Sequence, residues 1–222
     1  MTKSTSTMPC VLITGFAPFG SETINPSWQA VQKLDETIIM KHKICTLELA
    51  CEFNTSISQL INAIESHNPA VVLCIGQAGG RSEISIERIA INVDDAHIKD
   101  NAGKQPIDTP IEKNGPDAYF TNLPIKRMLQ ALHNSNIPAA ISNTAGTYVC
   151  NHVMYGLMHY INDHCAVMKG GFVHIPYLPS QAVHHNGAPS MSEDTVINAL
   201  KVMVAQALNN NNDVKMAAGT TH

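Results

Sequence analysis

The sequence is short of charge, of aromatic rings and of long apolar runs. Of its 222 residues, 14% are Asp, Glu, Lys or Arg and 5% are Phe, Trp or Tyr, with a single tryptophan. A net charge of −4 and a pI near 6.2 give no electrostatic footprint for nucleic acid or an anionic membrane. No apolar run approaches a membrane span, and residues 1–9 (MTKSTSTMP) lack the apolar core of a signal peptide. Neither a nucleic-acid nor a membrane partner is therefore expected. Metal and phosphate signatures are missing as well. Cys150-x-His152, His184-His185 and Cys165 are present, but no C-x-x-C and no H-E-x-x-H. The glycines of Gly76-Gln-Ala-Gly-Gly80-Arg81 match neither a Walker A loop nor a dinucleotide fingerprint. No metal and no other cofactor is expected. Six cysteines, at 10, 45, 51, 74, 150 and 165, show no tight pairing pattern, which favours reduced thiols in a cytoplasm over a disulfide framework.

What is present suits one sizeable core: 44% of the residues are hydrophobic. Cys10–Thr14 reads as a buried strand, leading into Gly15-Phe-Ala-Pro-Phe-Gly20. Asn25-Pro26 starts a helix to about Leu34, with Asn as cap and Pro in the first turn. Ile44–Leu49 alternates as a strand. Ile57, Leu60, Ile61 and Ile64 fall at helical spacing, so 55–67 is a helix ended by Pro69. Ala70–Ile75 is a continuous apolar strand of the kind buried on both faces. This alternation predicts a single-domain open α/β/α sandwich with a twisted, mostly parallel (mixed) sheet spanning residues 10–208. Residues 1–9 are expected to be a flexible N-terminus and 209–222 a disordered tail.

The later half carries the candidate chemistry. In Ile84–Val93 the apolar alternation slips by one around Glu87 and Arg88, as at a bulge or bend. Residues 94–122 form a long connection rich in Asp, Pro and Gly, the place to look for an interface. Pro124 opens a helix, 138–142 returns as a strand, and 170–176 is the last core strand, interrupted by His174. Residues 179–189 read as a loop, and the final helix carries a possible capping box of Ser190 and Glu193. Between them, 142–148 is a loop of small residues feeding a buried helix that begins near Tyr148. Cys150 then lies in the first helical turn, where free N–H groups and the helix dipole lower a thiol's pKa and can hold an oxyanion.

Each residue also has a plainer use. Cys150 could be a structural cysteine, His174 a satisfied core histidine, Glu87 one half of a solvated pair with Arg88, and Phe16 and Phe19 plugs under the sheet. Taken together, Cys150, His174 and Glu87 are expected on one edge of the sheet as nucleophile, base and orienting acid.

Gly15-Phe-Ala-Pro-Phe-Gly20 with Asn25-Pro26, Gly76-Gln-Ala-Gly-Gly-Arg81, Ile86-Glu87-Arg88-Ile-Ala-Ile-Asn92, Thr144-Ala-Gly-Thr-Tyr-Val-Cys150-Asn and Gly171-Phe-Val-His174-Ile-Pro176 occur in this order. Together they closely resemble the pyroglutamyl peptidase I (pyrrolidone-carboxylate peptidase) family of cysteine peptidases. The resemblance implies a cytoplasmic exopeptidase that removes N-terminal pyroglutamate from peptides, often a homo-oligomer (dimer or tetramer). It places the triad at Cys150, His174 and Glu87. Pyroglutamate is a neutral lactam, so its pocket needs apolar walls and an amide reader. Phe16, Phe19 and Val149 are expected as walls with Ile98 beside them, Gln77 as the reader, and Tyr148 as an added hydroxyl near the site. Where the family usually has Ala-Arg-Ile-Pro-Asp, this chain has Ala96-His97-Ile98-Lys99-Asp100. Two other readings stay open on the sequence: a nucleoside phosphorylase-like transferase on a related fold, and a non-catalytic lactam- or peptide-binding protein.

Overall fold

The computed structural model describes residues 8–165, 167–209 and 211–219. The expected flexible start, residues 1–7, lies outside them. The elements follow in the order β1 (Cys10–Phe16), α1 (Pro26–Val31), β2 (Ile38–Ile39), β3 (His42–Leu49), α2 (Thr55–His67), β4 (Val71–Gln77), β5 (Ile84–Glu87), β6 (Ile89–Ile91) and β7 (Ala118–Phe120). They continue with α3 (Ile125–Asn134), β8 (Ala139–Ser142), α4 (Val149–His164), β9 (Lys169–Ile175), α5 (Pro179–Ala182) and α6 (Glu193–Leu208).

Seven strands form one sheet in the order β2-β3-β1-β4-β9-β5-β8. The centre is parallel: β3 with β1, β1 with β4, and β4 with β9. β5 then runs antiparallel to β9, and β8 parallel to β5. The mixed α/β sandwich is as expected. Alternate residues of each strand feed two separate cores. Val11, Ile13, Leu73, Ile86, Ile141 and Val173 meet α1, α3 and α6 on one face. Leu12, Val72, Cys74 and Phe172 meet α2 and α4 on the other.

Local chemistry accounts for several boundaries. Asn25 caps α1, its side chain accepting from the Ser27 N–H. Asn68 closes α2 in the left-handed region (φ 44°). The packing of α2 on α4 depends on Gly156, because a Cβ there would stand 2.5 Å from Ile57 Cδ1. Among the described residues no helix is long and apolar enough to cross a membrane.

Four details differ from the sequence reading. The slip at Glu87 and Arg88 is a strand break: the chain leaves the main sheet there and forms a separate hairpin, β6 with β7. The 179–189 stretch contains the short helix α5. Ser192, not Ser190, caps α6. Of residues 209–222, expected to be a disordered tail, 210 and 220–222 lie outside the described residues, and Asp213 and Ala218 contact the fold. Asp213 accepts from the Lys126 and Arg127 N–H groups at the start of α3, and the Ala218 carbonyl accepts from Arg88 and Lys126.

Candidate active site

The α2/α4 face of the sheet holds the candidate residues, because pleating puts every second side chain there. On β9, Phe172 and His174 share that face; on β5, Ser85 and Glu87 do. Ser85 pairs directly with His174, so Glu87 is its diagonal neighbour, within reach of long side chains. The His174 Nδ1 and Glu87 Oε1 atoms meet at 2.7 Å. The expectation that all three residues emerge on one sheet edge fails for a topological reason. Antiparallel β5 points its carboxyl end the other way, and the acid reaches the histidine across the sheet face.

Glu87 is fully buried, and a cation joins it: Arg81 Nη1 donates to the same Oε1 at 2.7 Å. Glu87 Oε2 has no hydrogen bond among the described residues. The alternative of a solvated Glu87–Arg88 pair is thereby replaced: Arg88 turns to the Ala218 carbonyl instead.

Cys150 is the second residue of α4, and no side chain caps that helix at Tyr148. Its first N–H groups are therefore open donors, with the positive end of the helix dipole behind them. The thiol sits against the sheet at Gly76, where a Cβ would come 3.0 Å from Sγ and 2.8 Å from the Phe172 ring. Burial pushes the Cys150 thiol well above its ordinary range, and nearby Cys51 and Glu87 push the same way while Arg81 opposes them. The lowered pKa expected from the helix position does not prevail, because desolvation of a thiolate outweighs one turn of dipole. Burial also raises the other thiols on this face, Cys51 and Cys74, to about 12.

A cavity of about 150 Å³ opens over the thiol and the imidazole, lined by Phe16, Phe19, Asn25, Cys51, Gln77, Ala145, Tyr148, Cys150 and His174. Its walls are mostly apolar, and it is smaller than the roughly 300–1,000 Å³ of drug-sized sites. A small ring fits this shape. The Phe16–Phe19 loop is tied to α1, since Ser27 Oγ accepts from the Phe16 N–H and Asn25 Nδ2 donates to the Ala17 carbonyl. Gln77 is anchored at its Oε1, which accepts from Gln181 Nε2 at 3.2 Å.

Of the expected pocket residues, Phe16, Phe19, Gln77 and Tyr148 line the cavity. Val149 does not; it is fully buried in the core beneath. Ile98 does not either, standing 48% exposed in the long loop. Tyr148 contributes its ring, packed edge-on to Phe53, and its hydroxyl donates to the Lys99 carbonyl. The loop that lacks the family's usual proline is organised by Asp100, whose carboxylate accepts from the Phe53, Ala102 and Lys104 N–H groups. The sequence reading missed Cys51 and Ala145 as lining residues. Asn25 was legible only as a helix cap, and Arg81 only as the end of a glycine turn.

The pyroglutamyl peptidase family model matches residues 9–210. The chain belongs to the pyroglutamyl peptidase family. The pyrrolidone-carboxylate peptidase of Escherichia fergusonii is 54% identical over 97% of this chain and 100% of its own length. That of Yersinia pestis is 53% identical over 96% and 99%. Among solved structures, pyroglutamyl peptidase I of Bacillus amyloliquefaciens superposes with a TM-score of 0.90 at 45% identity, covering 93% of this chain and 100% of that one. The pyrrolidone carboxyl peptidase of Thermococcus litoralis does so at 0.90 with 36% identity, over 95% and 100%. Within this family fold, the cavity at Cys150 stands at the head of α4 and is closed by the β1–α1 loop.

Proposed function

We propose that this chain is a cysteine exopeptidase that hydrolyses the bond after an N-terminal pyroglutamyl residue of peptides. The observation that carries the reading is the 2.7 Å His174–Glu87 bond beside Cys150 at the floor of a small, apolar cavity. Relatives at 54% and 53% identity named as pyrrolidone-carboxylate peptidases support it. They argue against the transferase and the non-catalytic binder.

The roles follow from chemistry. Glu87 holds the Nδ1–H tautomer, leaving Nε2 free to take the Cys150 proton. Since burial keeps the resting thiol neutral, the thiolate forms together with the imidazolium as the thiol attacks. Attack on the pyroglutamyl carbonyl forms the C–S bond and an oxyanion, which the open N–H groups of α4 can stabilise. Collapse breaks the C–N bond, with the imidazolium proton passing to the leaving amine. Water, deprotonated by His174, then splits the thioester to free pyroglutamate and thiol.

The ring is neutral and lacks a free amine, so aromatic walls at Phe16, Phe19 and Tyr148 suit it. Gln77 reads its amide. Proline has the same shape without the lactam carbonyl and leaves such a group unpaired. The enzyme acts in the cytoplasm, a reading supported by six free cysteines. It assembles as a homo-oligomer, a dimer or tetramer. Support comes from Ile89, Ile91 and Phe120, which the hairpin register puts on one face, with Phe120 66% exposed.

The test is release of a fluorophore from pyroglutamyl and prolyl amides by intact protein and by Cys150→Ala. Cleavage of the pyroglutamyl compound alone, abolished by the substitution, is expected. No cleavage by folded, reduced protein would overturn the assignment.

A further inference from the structure

Arg81 stands outside the three residues to which the proposed reaction gives roles, yet it contacts the acid of that set. Its Nη1 shares Glu87 Oε1 with His174 Nδ1, each at 2.7 Å, and its Nη2 reaches the Thr144 carbonyl at 3.4 Å. Thr144 belongs to the loop that runs into α4 and Cys150. One guanidinium thus joins the acid on β5 to the segment that carries the thiol. Glu87 is fully buried while the Arg81 side chain is 33% exposed, so the cation reaches inward from the rim of a neighbouring open cavity that Ser82, Glu83 and Asn143 also line.

The charge balance shows what the guanidinium is for. With thiolate and imidazolium formed, Cys150, His174 and Glu87 carry one net negative charge. Holding that charge in a desolvated site is costly without a partner. Arg81 brings the cluster to neutrality. The other titratable groups around the thiol are Cys51 after β3, Cys74 on β4 and Tyr148 at the head of α4, none of them cationic. Glu83 lines the same open cavity as Arg81. Arg81 also acts on the thiol in the direction of ionisation, against burial, Cys51 and Glu87.

We propose that Arg81 is a positioning residue for this reaction, aiming the Glu87 carboxylate at His174 and supplying the charge that lets the Cys150 thiolate form beside the imidazolium. This rests on the cysteine-peptidase reading above. Arg81→Met removes the charge with similar bulk, and Arg81→Lys keeps it; Arg81→Gln replaces the methionine variant should that one fail to fold. Two quantities are measured on the full chain from about pH 5 to about pH 10: kcat and KM for a pyroglutamyl amide, and the rate of iodoacetamide alkylation read specifically at the Cys150 peptide by mass spectrometry, a shift of its midpoint being read as the displacement of the rate profile along the pH axis.

In Arg81→Met the Cys150 alkylation midpoint is expected to rise by ~1–3 pH units. Its kcat should fall ~10–100-fold, with KM within roughly threefold of the parent. Arg81→Lys should recover most of the midpoint. A folded Arg81→Met protein with the parental midpoint and kcat overturns the proposal. Equal kcat losses in the Met and Lys variants at an unchanged midpoint also overturn it, leaving Arg81 as a loop tether. Either result leaves the peptidase reading standing if the parent cleaves substrate and Cys150→Ala does not. A parent without turnover sinks that reading, while the alkylation midpoint still decides the charge effect of Arg81.

Discussion

Two buried histidine–carboxylate pairs flank the head of α4, and they have the same short contact. His174 Nδ1 lies 2.7 Å from Glu87, and His152 Nδ1 lies 2.7 Å from Asp94. They part at the far nitrogen. His152 Nε2 accepts the backbone N–H of Asn54 at 2.9 Å, with Phe53 packed edge-on to the ring. His174 lines the cavity beside Cys150, and its Nε2 makes no hydrogen bond among the described residues. An imidazole whose two nitrogens are both engaged is a fixed strut. One held at Nδ1 with Nε2 facing a cavity is a base waiting for a proton. Asn54 needs that strut, since its backbone is in the left-handed region (φ 67°) without glycine's freedom.

Exchanging the two fates is the sharpest way to break the comparison. His174→Ala should lower kcat/KM for a pyroglutamyl amide by ~10³–10⁴-fold or more with little change in melting temperature. His152→Ala should do the reverse, retaining most activity per folded molecule. If His152→Ala in folded protein abolished turnover while His174→Ala did not, the assignment of base and strut would be inverted. Asp94→Ala comes next in size. It strips the partner from a buried pair whose carboxylate already has one unbonded oxygen. A loss of ~3–5 kcal/mol is expected by chemical denaturation, and a loss below ~1 kcal/mol would show that the pair is not a strut.

The sequence made this contrast only half visible. Glu87 and His174 stood out because each interrupts an apolar strand pattern, and a carboxylate there must have a partner. His152 carried no such signal. On a helix, a polar residue two places after Cys150 reads as a surface position, and only packing against α2 and the 94–109 loop shows that it is buried. The same limit explains Val149 and Ile98. Both come from motifs beside the site, but which side of a helix turn or loop faces the cavity depends on tertiary rotation. Period and turn chemistry reach the elements themselves: 55–67 was legible as a helix from Ile57, Leu60, Ile61 and Ile64. The reversal of β5 was not legible, because strand direction is set by a connection whose path local pattern does not record.

Gly76 gives a third, smaller handle on the difference. The Cys150 thiol needs a bare backbone beneath it, whereas no glycine among the described residues lies against His152. Gly76→Ala puts a methyl 2.8 Å from the Phe172 ring and 3.0 Å from Sγ, so the ring or the thiol must move. Misplacing the nucleophile by about an ångström costs on the order of 10²-fold in kcat. Steady-state kinetics on folded Gly76→Ala checks this, and parental kcat would mean that the thiol adjusts freely.

A third histidine–carboxylate pair, near the surface, extends the series to its weakest member. His185 Nε2 meets Glu22 Oε1 at 2.6 Å, and the other Glu22 oxygen accepts from Gln181, which also holds Gln77. Partial burial works to raise the Glu22 pKa, but the hydrogen bonds from Gln181 and His185 outweigh it and the net shift is downward. A carboxylate depressed on folding stabilises above its unfolded pKa, and that contribution fades as pH falls through the folded one. Glu22→Gln should therefore melt below the parent near neutral pH by no more than about 1 kcal/mol, or ~2–4 °C. The gap should close on acidification below about pH 4. A gap that persists at low pH would mean that Glu22 acts through packing and not through its charge. The same variant should raise KM modestly by loosening Gln181 on Gln77, leaving kcat unchanged, because this pair touches the ring's amide reader and not the thiol.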